Sequence, residues 1–211
     1  IDYNISIFVM RMKIMNNQEK LKKLIEKQHG TVLSTELDQY DIPRTYLQLM
    51  VAEGKLERVE RGVYISTDAI EDEMYSMQGK YSKLIYSHET ALYLHGLSDR
   101  TPFEYSATFP SGYKVVGSIA ERFKVYYIKK EYHELGLETV QSSHGNPIKT
   151  YNIERTICDL IRSRSRLDIQ IVNEALKRYV KMKSTDFSML MHYARMLKVD
   201  VVLRNYIEVL L

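Results

Sequence analysis

Residues 34–66 read STELDQYDIPRTYLQLMVAEGKLERVERGVYIS, and this stretch decides the fold of the N-terminal part of the chain. Ser34 is a candidate N-cap, so the sequence predicts a short helix from Ser34 to Tyr40. A longer helix is expected to begin at Pro43, because proline suits the first helical position, and to end before Gly54. The stretch therefore predicts two helices in quick succession.

The segments on either side complete an order of elements. Asn16 and Asn17 can cap a first helix that ends at Gly30. Residues 55–65 alternate between apolar and polar side chains around a tight turn at Arg61-Gly62, which indicates a two-stranded ribbon. The order helix, short helix, helix and ribbon predicts a winged helix-turn-helix over residues 15–66.

The third helix of this domain is expected to read DNA bases. Its apolar residues at helical spacing, which should face the core, are Leu47, Met50 and Val51. Arg44, Thr45 and Gln48 then lie on the opposite face. Arginine binds guanine, glutamine binds adenine and a threonine methyl group contacts thymine, so these three residues are the candidate base contacts.

Phosphate contacts are expected around this helix. Arg58 and Arg61 lie on the ribbon, and backbone N–H groups at the expected helix start near Ser34 suit a phosphate. Residues 15–66 contain eight Lys/Arg and eight Asp/Glu, so local arrangement rather than net charge must attract DNA. A winged helix can also contact proteins, which leaves a protein adaptor that never binds DNA as an alternative.

The rest of the chain predicts a second, larger domain over residues 79–211, after an acidic linker at Thr67–Gln78. A capped helix is expected at 87–96. The strand-like segments are Glu104–Phe109, Phe123–Ile128, Glu138–Ser142 and Ile148–Tyr151, and further helices begin near Asn152, Asp168, Asp186 and Asp200. The predicted fold class is α+β: a winged helix-turn-helix followed by a mixed α/β domain with a helical C-terminal half.

The densest basic stretch of the second domain is a candidate functional surface. Its residues are Arg162, Arg164, Arg166, Lys177, Arg178, Lys181 and Lys183. Such a stretch is either a solvated helix surface or a second nucleic-acid patch, which can hold flanking DNA or an RNA. Tyr179 among these charges can stack on a base or pack in the core.

No catalytic or metal-binding signature is found in the sequence. His88 and His95 lack the four-residue spacing that places two metal ligands on one helix face, so both are expected to pack or cap. Arg155 and Asp159 are one turn apart and are expected to form a helix-surface or inter-helix pair. Without a phosphate loop, a nucleophile elbow or paired carboxylates, we predict a protein that is not an enzyme and needs no cofactor.

Cysteine usage and hydropathy indicate the compartment. The chain has 211 residues, a net charge of +3 and one cysteine, Cys158, which forms no internal disulfide. No apolar run is long enough to span a bilayer, so we expect a cytoplasmic protein without membrane contact. Residues 1–14 are set apart as an extension of uncertain origin, because Met10, Met12 and Met15 are all possible starts.

Four segments, in this order, resemble the AbiEi antitoxin family of type IV toxin–antitoxin and abortive-infection systems. They are LKKLIEKQHGTVLSTEL (21–37), LERVERGVYI (56–65), SHETALYLHGL (87–97) and GNPIKTYNIERTICDLI (145–161). The resemblance extends from Met15 to the end of the chain, and the order of the four segments is its specific feature. It implies a transcriptional autorepressor that binds inverted repeats in its own promoter and takes part in phage resistance.

The resemblance also implies a role for the second domain. Residues 79–211 would form an antitoxin domain that counteracts a nucleotidyltransferase-like toxin without a stable complex. The alternative is a winged-helix transcription factor whose C-terminal domain senses a ligand or dimerises. A nucleotidyltransferase-like gene immediately downstream would favour the antitoxin.

Overall fold

The computed structural model describes residues 15–115 and 117–210, and the extension expected at residues 1–14 lies outside the described residues. Helices and strands alternate in an α+β fold. No helix within the described ranges is long and apolar enough to cross a membrane. The chain divides into two compact units. The first contains the described residues up to Ser82 together with Gln141–Ile148, and the second contains Lys83–Val140 and the residues from Lys149 onwards.

The first unit combines short helices with a small sheet. Its elements are α1 (Asn17–Lys27), β1 (Thr31–Leu33), a 3₁₀-helix (Leu37–Tyr40), α2 (Thr45–Ala52), β2 (Leu56–Glu60), β3 (Val63–Ser66) and α3 (Glu73–Lys80). The Asn16 side chain caps α1 by accepting a hydrogen bond from the backbone N–H of Glu19 at 2.9 Å. Gly30 turns the chain from α1 into β1 with φ +92°, a conformation that glycine adopts without strain.

The strands of this unit form a three-stranded antiparallel sheet in the order β1-β3-β2. The pairing of β2 with β3 shifts register between Arg58 and Glu60, which marks a β-bulge on β2. Gly62, with φ +85°, makes the turn from β2 to β3. Leu56 is buried, whereas the middle of β2 faces solvent, so the ribbon projects from the unit.

A core of buried apolar residues holds the helices of the first unit against its sheet. Its members are Leu21, Leu24, Val32, Leu37, Ile42, Leu47, Met50 and Leu56. Truncating a buried leucine to alanine in such a core costs about 2–5 kcal/mol. Because Leu37 and Leu47 both belong to it, this core fixes the 3₁₀-helix and α2 relative to each other.

The structure corrects three details expected for residues 34–54. The first helix of this stretch is a 3₁₀-helix that begins at Leu37 rather than at Ser34. Helix α2 begins at Thr45 rather than at Pro43. Val51 is 37 % exposed instead of buried, because α2 ends one residue later and the core side of this short helix is filled by its two buried residues, Leu47 and Met50.

The acidic segment expected as a linker, Thr67–Gln78, lies within the folded first unit. Asp72 caps α3 by accepting a hydrogen bond from the backbone N–H of Tyr75 at 3.2 Å. Met74, Tyr75 and Met77 are buried, and α3 contacts β1 and β3. The structure differs from the expectation because the acidic residues mark the cap and first turn of a helix, where carboxylates are favoured.

The second unit contains a larger sheet and most of the helices. Its elements are β4 (Ile85–Tyr86), α4 (His88–Leu94), β5 (Tyr105–Pro110), α5 (Gly117–Ala120), β6 (Phe123–Ile128), β7 (Leu137–Gln141), β8 (Pro147–Tyr151), α6 (Ile153–Arg162), α7 (Ile169–Lys181), α8 (Phe187–Met196) and α9 (Asp200–Leu210). The strands form a five-stranded sheet in the order β6-β5-β4-β8-β7. It is mixed, because β4 is antiparallel to β5 and parallel to β8.

The segment between β7 and β8 has an unusual position in the chain. Gln141–Ile148 belongs to the first unit, and it comprises the last residue of β7, the loop that follows and the first two residues of β8. The first unit is therefore assembled from two separate parts of the chain.

Helices α6 to α9 pack around a second apolar core. Its fully buried members on these helices include Ile157, Leu160, Ile161, Val172, Leu176, Leu190 and Leu203. Asn152 caps α6 by accepting a hydrogen bond from the backbone N–H of Arg155 at 3.0 Å. Cys158 lies in this core, where burial raises the pKa of its thiol, so it is an unreactive packing residue.

Candidate nucleic-acid interface

Helix α2 presents polar side chains to solvent on one face. Leu47 and Met50 are only 1 % and 3 % exposed, and they face the core of the first unit. Thr45 and Gln48 are exposed, and Arg44 is exposed at the N-cap position. Because residues three and four apart share a helix face, the structure brings these three polar residues together on the solvent side of α2.

Leu49 extends this face, although the sequence analysis did not select it. It is 45 % exposed and lies one helical turn after Thr45. The sequence does contain a signal for its exposure, because Leu49 is four residues after Thr45 and therefore shares a helix face with it rather than with the buried Leu47. An exposed apolar side chain beside Gln48 suits contact with the methyl group of a thymine.

Arg44 is paired with an acidic residue of the 3₁₀-helix. Its Nη2 atom lies 3.0 Å from Oδ2 of Asp38, and the two side chains are 61 % and 67 % exposed. An ion pair this exposed contributes little to stability, because water screens both charges. The pair therefore holds the guanidinium near the start of α2, and a base edge or a phosphate can displace Asp38.

The β2–β3 ribbon presents two exposed arginines. Nε of Arg58 donates a hydrogen bond to the carbonyl oxygen of Glu60 at 3.3 Å, and Arg61 lies in the turn. The Glu60 carboxylate accepts a hydrogen bond from Nζ of Lys80, which balances its charge. Glu57 on the same strand is also exposed. Positive charge is therefore concentrated near the turn of the ribbon rather than along β2.

The structure changes the expected role of Ser34. Its backbone N–H donates a hydrogen bond to the carbonyl oxygen of Gly62 at 2.8 Å, and no helix begins there. This N–H group is therefore not available to bind a phosphate. The Ser34 hydroxyl lies beside the turn of the ribbon, since a Cβ atom added to Gly62 would come within 3.0 Å of its Oγ. Ser34 therefore lies next to the turn of the ribbon that contains Arg61, and not at the start of a helix.

The basic stretch of the second unit is less uniform than its sequence indicates. Both carboxylate oxygens of Asp99 accept hydrogen bonds from Arg178, and Glu174 accepts a further one at 2.8 Å. Arg178 is therefore neutralised. Tyr179 is 1 % exposed and packs edge-on against Phe187. Its ring is therefore part of the core and cannot stack on a base. The basic residues of this stretch that remain exposed on α7 and after it are Lys177, Lys181 and Lys183.

The three arginines at the end of α6 and in the 3₁₀-helix that follows it (Arg164–Arg166) are held by local contacts. Nη2 of Arg162 lies 3.5 Å from Oδ1 of Asp159, and Nη1 of Arg164 donates to the carbonyl oxygen of Ile161 at 3.0 Å. The guanidinium of Arg166 lies 4.5 Å from the ring centre of Tyr126, which is a cation–π arrangement. Arg164 and Arg166 are exposed, so this end of α6 is a positive surface with ordered side chains.

His88 is packed in the interior of the second unit. Its ring stacks on Tyr126 at 3.5 Å, and its two ring nitrogens form hydrogen bonds with the hydroxyls of Ser87 and Ser163 at 2.9 and 3.0 Å. Burial, and to a smaller extent the positive charge of Arg162, lowers the pKa of His88 well below 6.5. Across residues 15–115 and 117–210, no group of three or more His, Cys, Asp or Glu side chains is arranged to hold a metal ion.

The Arg155–Asp159 pair lies inside the second unit and not on its surface. Nε of Arg155 is 3.1 Å from Oδ2 of Asp159, and both side chains are fully buried. Nη1 of Arg155 also donates to the carbonyl oxygens of Tyr132 and Leu135 at 2.9 and 2.7 Å. The pair is therefore a structural bridge between α6 and the loop before β7, which corrects the expected surface or inter-helix position.

Comparison with known proteins finds a family match within the first unit. Residues 19–67 match a family described as "Transcriptional regulator, AbiEi antitoxin". This match confirms the resemblance to AbiEi antitoxins and supports a role as an antitoxin and transcriptional regulator. It spans α1 to β3 and leaves the second unit outside the matched range.

Beyond this family, one solved structure shows a weak similarity to the chain. No curated protein matches the chain. A crystal structure of the RV2827C protein from Mycobacterium tuberculosis is similar with a TM-score of 0.47 and 13 % sequence identity, over 85 % of this chain and 75 % of that chain. A likeness of this size carries no argument about fold or function.

Proposed function

We propose that this protein is a DNA-binding transcriptional autorepressor and an antitoxin of a type IV toxin–antitoxin operon, which acts in the cytoplasm in abortive phage infection. Its partners are operator DNA with inverted repeats and a nucleotidyltransferase-like toxin. The observation that carries the proposal is the exposed face of α2, formed by Arg44, Thr45 and Gln48, on a unit that matches an AbiEi antitoxin regulator.

In this proposal the first unit is a winged helix-turn-helix over residues 15–66. The 3₁₀-helix and α2 form the helix-turn-helix pair, and β2 with β3 forms the wing. The order of the elements and the antiparallel sheet β1-β3-β2 support this assignment. The recognition helix would then be α2, which enters the major groove with its N-terminal residues toward the bases.

Base reading falls to the exposed face of α2. Arg44 exchanges its exposed partner Asp38 for the O6 and N7 atoms of a guanine, and Gln48 binds an adenine. The methyl group of Thr45 and the side chain of Leu49 supply apolar contacts to thymine. These contacts sit on one helix face, so they address neighbouring base pairs of one half-site.

Phosphate binding falls to the wing. Arg58 and Arg61 contact the backbone, and the half-buried hydroxyl of Ser34 donates to a phosphate near the same turn. Because acidic and basic residues balance in residues 15–66, few phosphates are neutralised. Operator binding should therefore depend on salt less steeply than it does for strongly basic repressors.

The second unit carries the antitoxin function, and it does so as a non-enzymatic surface without a stable toxin complex. We assign protection to the basic residues that the structure leaves exposed. They are Arg164, Arg166, Lys177, Lys181 and Lys183, with the partly exposed Arg162 beside them. Arg178 is not part of this surface, because Asp99 and Glu174 neutralise its charge. A positive surface suits an RNA that a nucleotidyltransferase would modify.

The alternative is a transcription factor whose second unit senses a small ligand or dimerises. A cavity of about 200 Å³ lies in this unit, and its lining includes Leu92, Arg100, Phe103 and Glu174. Ligand sites usually enclose about 300–1,000 Å³. This cavity is smaller than that range, but a second pocket of about 390 Å³ in the same unit, lined in part by His133, lies within it. Cavity volume therefore does not separate the sensor from the antitoxin, and protection from the toxin decides between them.

The proposal is tested in cells with the full-length chain. A reporter under the promoter of its own operon measures repression, and a separately induced toxin measures protection. The variant Arg44→Ala/Gln48→Ala should lose repression and keep protection. Normal repression by this variant would remove α2 from the operator interface, and a wild-type chain that gives no protection would favour the transcription factor.

A further inference from the structure

We propose that Gln141–Ile148, hereafter the inserted loop, positions the helix-turn-helix for operator binding through a series of buried and partly buried hydrogen bonds. The inserted loop belongs to the first unit although it lies far from the rest of that unit in sequence. The inference rests on the proposed function, and it assigns positioning residues that do not contact DNA.

The inserted loop is anchored on a buried carboxylate. Asp72 is 1 % exposed, and its Oδ2 atom accepts hydrogen bonds from Oγ of Ser142 at 2.5 Å and from Nδ2 of Asn146 at 2.9 Å. Its Oδ1 atom accepts one from the backbone N–H of Tyr75. Among the described residues, these are its hydrogen-bond donors, and two of the three come from the inserted loop. A buried carboxylate depends on such donors, because it has lost its contact with water.

A second set of bonds leads from the loop toward the helix-turn-helix. Nδ2 of Asn146 also donates to the carbonyl oxygen of Gln28, at the end of α1, at 3.1 Å. The side chain of Gln28 in turn donates to Glu36 at 2.5 Å and to the hydroxyl of Tyr75 at 2.7 Å. The Tyr75 hydroxyl donates to the other carboxylate oxygen of Glu36. Each step is a direct contact between side chains or with a main-chain carbonyl.

Glu36 is the point at which this network reaches the DNA-binding elements. It directly precedes the 3₁₀-helix, and its carbonyl oxygen accepts a hydrogen bond from the backbone N–H of Gln39 at 3.0 Å. The 3₁₀-helix carries Asp38, whose carboxylate holds Arg44 at the start of α2. The 3₁₀-helix also shares the buried core with α2 through Leu37 and Leu47. A displacement of Glu36 therefore shifts the 3₁₀-helix and, through this core, the start of α2 that carries the residues proposed to read the operator.

The inserted loop fits closely against the end of α1. Gly145 has φ +87°, and a Cβ atom added there would come within 2.8 Å of Nε2 of His29. The backbone of the loop therefore lies directly on this side chain. This contact and the two side-chain anchors hold the loop at three points, which suits a positioning element.

The test compares three full-length variants that bear no DNA contact. Asn146→Ala removes the loop's bonds to Asp72 and Gln28. Tyr75→Phe removes the hydroxyl that bonds both Gln28 and Glu36 and leaves the direct bond from Gln28 to Glu36 in place. Ser143→Ala is the matched control, because Ser143 is exposed on the same loop. Binding is measured on a duplex from the chain's own promoter and on a shuffled duplex at several salt concentrations. The measurements are made well below each variant's melting temperature, so that all of the protein is folded.

We expect Asn146→Ala and Tyr75→Phe to weaken promoter binding roughly tenfold, because coupled residues of one network share energies of that size. The salt slope should stay unchanged, since no phosphate contact is lost, and Ser143→Ala should bind as the wild type does. Variants that melt earlier yet bind the promoter normally would overturn the inference, because the loop would then only stabilise the fold. If Asn146→Ala does not fold, Ser142→Ala takes its place, because it removes the other bond from the inserted loop to Asp72. A wild-type chain that does not distinguish the two duplexes would instead refute the proposed function.

Discussion

The replacement of Arg44 by alanine tests the recognition helix most directly. If Arg44 binds a guanine with two hydrogen bonds, its loss should cost about 1–3 kcal/mol on the operator, or roughly 5- to 150-fold in affinity. The fold should tolerate the change. Arg44 and Asp38 are 61 % and 67 % exposed, so the free energy of unfolding should change by less than about 0.5 kcal/mol.

The ion pair adds a second effect that can be separated from base reading. Removing Arg44 leaves the Asp38 carboxylate unpaired at a surface that approaches phosphates, and the resulting repulsion acts on any DNA and weakens with salt. The double variant Arg44→Ala/Asp38→Asn should therefore recover affinity equally on promoter and shuffled duplexes. The loss that remains on the promoter alone measures base reading.

Fluorescence anisotropy with labelled promoter and shuffled duplexes supplies the measurement. Arg204→Ala is the matched control, because it removes an exposed arginine from α9 of the second unit. An equal loss on both duplexes for Arg44→Ala, fully restored by Asp38→Asn, would refute base reading and leave only an electrostatic role. Unchanged binding on both would remove Arg44 from the interface.

Three further predictions address other parts of the molecule. Arg58→Ala or Arg61→Ala should reduce the salt slope of DNA binding by about 0.9 for each lost phosphate contact, whereas parallel slopes would contradict the wing assignment. Because burial lowers the pKa of His88, the stability that neutral His88 contributes is present above pH 6.5 and is lost as the pH falls below it. Denaturant unfolding at about pH 7.5 and 5.5 should show a smaller loss for His88→Gln, and an equal loss would refute this. Arg164→Glu/Arg166→Glu changes two exposed arginines and should lose protection from the toxin and keep repression, and protection by the folded variant would exclude these two arginines from the protective surface.

The sequence predicts secondary structure well where local signals agree. The expected strand at Phe123–Ile128 and the helix capped by Asn152 are both found at those residues. Each has an apolar pattern of one period and a clear boundary, a glycine- and serine-containing stretch before the strand and a capping side chain before the helix. Such elements depend little on partners that are distant in sequence.

The differences arise where a distant partner decides the structure. Ser34 has the composition of a helix cap, but its N–H group is taken by Gly62 of the ribbon. Asp72 looks like part of an acidic linker, but it is a buried cap whose donors come from Ser142 and Asn146. Arg178 looks like part of a basic surface until Asp99 is placed beside it. The charge pattern and the periodicity of the sequence do not predict these pairings, because the partners are far apart in the chain.

The candidate base-contact residues could be selected from sequence because helical spacing separates them from Leu47 and Met50. The exposure of Val51 could not, since it follows from where the helix stops. The positioning role proposed for Asn146 had no sequence signal at all. It depends on which of the two units receives the loop between β7 and β8.

The split origin of the first unit has a consequence for synthesis on the ribosome. A chain that has emerged only as far as Ser82 contains α1 to α3 but lacks two of the three donors to the Asp72 carboxylate, those of Ser142 and Asn146. These donors arrive only after the whole stretch up to Asn146 has been translated, and the long intervening chain makes the contact slow to form. Products of premature termination would thus contain α2, the helix proposed to read the operator, without the inserted loop proposed to position it. If repression needs the inserted loop, only chains translated beyond Asn146, and therefore beyond β4 to β7, would repress.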